Sequence, residues 1–204
     1  MKKAIIYDFD KTIYSKETSI YFMLFYIKKH PKRILKVLKF LIKFIFSFKN
    51  SELKNIKNAF FEFIDKKNTD KLNDEIIEFW SSQEKNFFPY FKNEIIKNKK
   101  EADILILISA SPDFLLEPIY TKLGFDILIA TKFKNFKIIG NNCKGIEKLN
   151  RLNELGEFEV LSFYSDSMSD KPLFDIAKNK YSIDKKGNLH EGYPQKNGRV
   201  DKWK

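Results

Sequence analysis

A chain of 204 residues with 43% hydrophobic content is long enough for one large domain, or one domain with an inserted cap, around a sizeable core. Seven Gly, six Pro and a single Cys exclude collagen-like and disulfide-stapled architectures, and the apolar content excludes wholesale disorder. The net charge of +11 rests almost wholly on lysine, and the two histidines, His30 and His190, lie far apart, so any metal chemistry falls to carboxylates.

Taken in chain order, Ala4–Tyr7 is a short apolar run that stops at Asp8, which predicts a buried parallel strand. It is too short for the apolar region of a signal peptide, and no uncharged run reaches the ~18 residues of a spanning helix, so a cytoplasmic location is expected. The lone Cys143 fits a reducing compartment. Residues 18–100 read as helical. Ile104–Ile108 predicts a second strand, Pro112–Leu123 a helix, Ile127–Ala130 a third strand and Thr131–Ile139 a hairpin. Gly145–Leu155 reads as a helix, Glu159–Tyr164 as a strand, Lys171–Asn179 as a helix and Lys180–Ile183 as a last strand, with a loose polar tail after Gly192. Strands alternating with helices predict an α/β fold, a Rossmann-like parallel sheet with helices on both faces. The expected division is a core of residues 1–15 and 101–204 with a helical cap, 16–100, inserted after the first strand.

Residues with chemistry fall at the strand ends. Asp8-Phe9-Asp10-Lys11-Thr12 follows the first strand, where open α/β sheets bind ligands. One carboxylate is a competent nucleophile toward phosphorus, and a second can protonate a leaving alcohol. Two acids this close also suit a hard cation. Ser109-Ala110-Ser111-Pro112 offers a hydroxyl and backbone N–H groups to a phosphate, and Lys144 and Lys148 open a later helix where either can offset phosphoryl charge. Ser165-Asp166-Ser167-Met168-Ser169-Asp170 places two acids four apart, suited to a metal ligand and its supporting acid. Each feature alone also reads as an ordinary loop or helix cap. Their order, one per strand end, points to phosphoryl chemistry.

That order resembles the haloacid dehalogenase-like hydrolases, in their phosphoserine-phosphatase-like branch. The resemblance implies Asp8 as nucleophile and Mg2+ ligand, and Asp10 as acid/base with its backbone carbonyl on the Mg2+. It also implies Ser109 and Ala110 at the phosphate, and Asp166 and Asp170 at the metal. Lys11 stands where many of these enzymes carry Gly. The runs Ser109–Pro112, Cys143–Lys148 and Tyr164–Leu173 further resemble the phosphatidylglycerophosphatase C family, which implies Lys148 as the phosphate-binding lysine; the phosphoserine phosphatase pattern favours Lys144 instead. Thr12 and Glu17 are expected near the substrate, Glu17 standing where phosphoserine phosphatases bind an amino group. Residues 34–150 contain no Arg to clamp a substrate carboxylate, which speaks against an amino-acid substrate, and the resemblance to the phosphatidylglycerophosphatase C family implies Mg2+-dependent conversion of phosphatidylglycerophosphate to phosphatidylglycerol. A soluble phosphoserine-like substrate is the alternative.

Within the cap, Lys32, Arg33, Lys36, Lys39 and Lys43 fall on one helical arc of about 120°, and apolar residues cover most of the rest. Such a helix, over Lys32–Phe48, suits an anionic lipid interface, so peripheral attachment to the cytoplasmic face of the inner membrane is expected. The other arrangements are packing within the cap and dimerisation through it. No nucleic-acid partner is expected, since the chain lacks a pattern of stacking aromatics with arginine.

Overall fold

The computed structural model describes residues 1–47, 58–65 and 69–195. Its first strand, β1 (Lys2–Tyr7), is central because Ala4, Ile5, Ile6 and Tyr7 are all fully buried, so both faces of the strand are apolar. It pairs in parallel with β2 (Ile104–Pro112) on one side and, on the other, with β6 (Phe158–Ser165), and three strands lie between β2 and β6 in the chain. Those are β3 (Ile127–Thr131), parallel to β2, and a small hairpin of β4 (Phe133–Lys134) and β5 (Lys137–Ile138). After β6 come β7 (Asn179–Ile183), parallel to it, and β8 (Leu189–Glu191), antiparallel to β7. The six-stranded sheet runs β3-β2-β1-β6-β7-β8.

The chain builds outward in opposite directions from β1, so the order reverses between β1 and β6. The carboxyl ends of those two strands flank the crevice such a reversal opens.

Side-chain alternation divides the interior into two layers. Ile5, Tyr7, Leu105 and Leu107 face one side, where they join Phe9, Tyr14, Phe22, Phe79 and Trp80. Ala4, Ile6, Ile106 and Ile108 face the other, with Leu152, Leu173 and Phe174. The first layer is covered by helices between β1 and β2, among them α1 (Thr18–Lys29), α2 (Ile34–Ser47), α3 (Thr69–Ser82) and α4 (Pro89–Glu101). The second is covered by two later helices, which follow a short α5 (Asp113–Leu116): α6 (Ile146–Glu154) and α7 (Lys171–Ile176). Insertion and sheet are stitched by Trp80 Nε1, which donates to the Leu115 carbonyl at 2.6 Å, and by the Phe88 N–H, which donates to the Ile13 carbonyl at 2.9 Å.

The α/β class and the helices on both faces agree with the sequence, but several elements differ from it. The helix expected over Pro112–Leu123 is helical only through α5, then breaks into turns. Glu117 still has helical backbone, but Pro118 has no N–H to donate, so the helical hydrogen-bond ladder is interrupted there. The helix expected to reach Asn179 stops at Ile176, because Asn179 already pairs with Ser162 in the sheet. Strand β8 was not expected, and it makes the sheet mixed. Its turn is built by Asp184, whose carboxylate accepts the N–H groups of Lys186 (2.8 Å) and Asn188 (2.9 Å). The hairpin after β3 turns through Asn135 and Phe136, both left-handed at φ 51° and 58°, the requirement of a type I′ turn. The tail expected to be loose lies, from residue 196, outside the described residues. Among the described residues no helix is long and apolar enough to cross a membrane.

Candidate active site

Asp8 leaves β1 with its N–H still on the Tyr164 carbonyl at 2.9 Å, so the β1/β6 ladder fixes its backbone. The chain then folds back: the Phe9 carbonyl accepts the N–H groups of Thr12, Ile13 and Tyr14 at 3.0–3.2 Å. This turn puts Lys11 at φ 60°, a left-handed position that glycine takes without strain, which accounts for the Gly common there in the enzymes this loop resembles. It also returns Thr12 beside Asp8. The buried Thr12 hydroxyl donates to Asp8 Oδ2 at 2.9 Å and accepts the Asp166 N–H at 3.1 Å, tying the ends of β1 and β6 together.

From α6, Lys148 reaches the same point. Its side chain is 2% exposed, and Nζ lies 2.6 Å from Asp8 Oδ1 and 2.8 Å from Asp170 Oδ2. Burial opposes the Lys148 charge, but the two carboxylates outweigh it and hold its pKa above the ordinary lysine value. Burial pushes Asp8 up, while Lys148 and the Thr12 hydroxyl favour its charged form. Ser165 donates to Asp170 Oδ2 at 2.8 Å, fixing the acid that fixes the lysine. Lys144 is exposed and one turn away from these contacts. Gly145 lies between, at φ 60°; a Cβ there would stand 3.2 Å from the Ser169 carbonyl, so its absence lets α6 approach the Asp170 loop.

Asp10 is held separately. Oδ2 accepts from the Ser111 hydroxyl at 2.5 Å, and Oδ1 accepts both the N–H (2.8 Å) and the hydroxyl of Thr18, the first residue of α1. Burial raises its pKa to about 6 against these donors. Ser109 is buried beside it, its Oγ accepting the Ser111 N–H at 3.0 Å. The Ala110 carbonyl accepts from Thr131 Oγ1 at 2.9 Å. Burial, reinforced by the charge of Asp8, raises Asp166 to about 7. Glu17 is half-exposed and ion-paired with Lys11 at the rim.

The structure therefore brings together Asp8, Thr12, Asp166, Lys148 and Asp170, with Asp10, Ser109 and Ala110 alongside. Thr12 is fully engaged by Asp8 and Asp166, and Lys144 and Glu17 stand at the surface. The reading from sequence missed Ser111 and Thr18 as partners of Asp10, and Ser165 as partner of Asp170. Thr18 at a helix start and Ser165 next to Asp166 are signals for two of these; the pairing of Ser111 with Asp10 spans 101 residues and has no local signal.

Two carboxylates, Asp8 and Asp170, contact the buried ammonium of Lys148, and the Asp8 charge is felt by both Asp166 and Asp10, an excess of negative charge that fits a hard divalent cation. Asp170 Oδ1 is buried with no hydrogen-bond partner, and the raised Asp166 marks a place that favours added positive charge. Among the described residues no three acids, histidines or cysteines converge closely enough to cage a metal by themselves.

Comparison with known proteins places the chain beside a known family. The profile of the haloacid dehalogenase-like hydrolases matches residues 5–175. Protein CicA of Caulobacter vibrioides is 32% identical over 85 residues, 37% of this chain and 38% of that protein's length. A protein of unknown function from Bordetella pertussis Tohama I superposes with a TM-score of 0.74 at 17% identity, covering 90% of each chain. A phosphoserine phosphohydrolase-like protein from Francisella tularensis superposes with a TM-score of 0.57 at 15% identity, covering 90% of this chain and 88% of the other. The two superpositions show a shared fold.

Proposed function

The chain belongs to the haloacid dehalogenase-like hydrolases, and from that premise we propose that it hydrolyses phosphate monoesters through an aspartyl-phosphate on Asp8. The observation that carries this reading is the Lys148 ammonium, buried between Asp8 and Asp170 where the sheet order reverses. Asp8 attacks phosphorus in line as the ester P–O bond breaks, and Asp10 gives its proton to the leaving oxygen. Asp10 then takes a proton from the water that cleaves the acyl phosphate, releasing phosphate and restoring both carboxyl groups. Lys148 and Ser109, with the Ala110 backbone, hold the phosphoryl oxygens; Asp170 and Ser165 hold Lys148 in place. Asp8, the Asp10 carbonyl and Asp166, supported by Asp170, would hold Mg2+, which supplies charge neutralisation for the phosphoryl oxygens.

Residues 16–100 serve as a cap over a core of 1–15 and 101–204. For substrate we read a phospholipid head group, phosphatidylglycerophosphate, taken from the cytoplasmic face of a membrane. The Ser109–Pro112, Cys143–Lys148 and Tyr164–Leu173 runs and the absence of Arg from residues 34–150 support this. A soluble phosphoserine-like substrate is favoured by Glu17 at the rim, although Lys11 already pairs with it. Phosphate release from phosphatidylglycerophosphate in mixed micelles, set against release from phosphoserine, tests the choice. Faster turnover of the lipid supports the first reading, and faster turnover of phosphoserine replaces it with the second.

A further inference from the structure

Helix α2 is divided into three sectors that its sequence does not show. At 100° per residue, Val37, Phe40 and Phe44 share one side. Val37 is buried in the first core layer, and Phe40 packs edge-on against Phe60 at 5.6 Å between ring centres. Among the described side chains of the helix, this side carries the core packing. Lys36 and Lys39 form a second, exposed sector, continued by Lys32 in the preceding turn. Between them lies a third sector, an arc of roughly 120°, holding Ile34, Leu35, Leu38, Leu41 and Ile42. All five are exposed, Leu35 at 68% and Ile42 at 58%. Single exposed apolar residues need no explanation, but five on one contiguous arc do.

We propose that this arc is a docking surface for an anionic lipid bilayer, with the lysine sector beside it lying against the head groups. The charge of the segment selects this occupant. Residues 18–51 carry eight Lys and Arg and no Asp or Glu, so most of the net charge of +11 is gathered there. A second copy of the chain laid face to face would oppose lysine to lysine, whereas acidic head groups complement the stripe. Apolar side chains left this exposed gain by leaving water for the acyl boundary. The inference supplies the membrane contact of the lipid-substrate reading above, yet it rests on exposure and charge alone and is tested without catalysis.

Flotation of the full chain with vesicles decides it. The protein is expected to float with mixed phosphatidylcholine and phosphatidylglycerol vesicles, to float less with phosphatidylcholine alone, and to release as salt rises. Lys36→Gln with Lys39→Gln is expected to lower the partition coefficient about 25-fold, roughly fivefold for each charge. Leu35→Ser, Leu38→Ser and Ile42→Ser in one chain are expected to abolish flotation. All these positions are exposed, so hydrolysis of p-nitrophenyl phosphate is expected to stay at the wild-type rate, which separates failure of docking from failure of the fold or of the phosphatase reading. Absence of flotation at low salt, or flotation untouched by both sets of changes, overturns the proposal. So does a dimer, read by light scattering, that dissociates in the triple Ser variant while vesicles are ignored.

Discussion

The ammonium of Lys148 and the carboxylate of Asp170 lie 2.8 Å apart with both side chains almost wholly removed from water. Removing one member of a buried pair leaves the other charge uncompensated, at a cost of about 3–5 kcal/mol. Lys148→Met is therefore expected to lower stability by about that amount, since Asp8 and Asp170 are then left facing each other. It is expected to stop turnover as well. Urea denaturation and phosphate release measure the two effects; a variant with unchanged stability would show that the acids had simply taken up protons.

Asp8→Asn keeps the shape of the side chain and removes the anionic nucleophile. The fold is expected to survive, by circular dichroism, and turnover to fall by several orders of magnitude. Residual activity above about one percent of wild type would reject Asp8 as the attacking group.

Chelation is expected to stop phosphate release and added Mg2+ to restore it. Ca2+ is expected to inhibit, because its looser and higher coordination does not hold an in-line geometry. Full activity in excess EDTA would remove the metal from the proposed chemistry, and Asp166 with it.

Thr12→Val replaces a hydroxyl that serves Asp8 and the Asp166 N–H at once. The half-buried N–H loses its acceptor and the buried Asp8 carboxylate loses a donor, so a loss of about 1–3 kcal/mol is expected in denaturant melts. Thr12→Ser, which keeps the hydroxyl, is expected to recover most of it together with the activity.

Gly187→Ala is expected to destabilise the chain although the residue is remote in sequence from every acid of the site. The turn needs φ +84°, and a Cβ there would fall 2.1 Å from the Phe88 ring. Phe88 immediately precedes α4, so movement of the ring is transmitted to that helix. Thermal melts of Gly187→Ala beside Gly192→Ala, which meets no atom within 4 Å, separate the clash from the backbone strain common to both.

What the sequence showed was the chemistry at strand ends. An apolar run that stops at acids is legible because burial and charge change abruptly at one residue, as at Tyr7–Asp8 and at Ser165–Asp166. The fold class followed from alternation. Less legible were contacts made across the sheet. Lys144 and Lys148 are one turn apart, and only the folded chain exposes the first and buries the second. Ser111 meets Asp10 because β2 lies against β1, a neighbourhood without a local sequence signal. The early end of α5 was there to be read in Pro118. Strand β8 was harder, being three residues long and dependent on one Asp184 turn.

The interior beneath the inserted helices has no seam. Phe22 and Phe79, from the insertion, pack in the same cluster as Phe9, Tyr14 and Tyr7 at the end of β1, and Trp80 stands 5.5 Å from Phe9. Heating is therefore expected to melt insertion and sheet in one cooperative step rather than two. A chain trimmed of residues 16–100 would present the rings of Phe9 and Tyr14 to water next to Asp8, and would aggregate before it could be assayed. Exchanging this insertion for that of a relative would require recutting the aromatic contacts at Phe9, Tyr14 and Trp80 along with it.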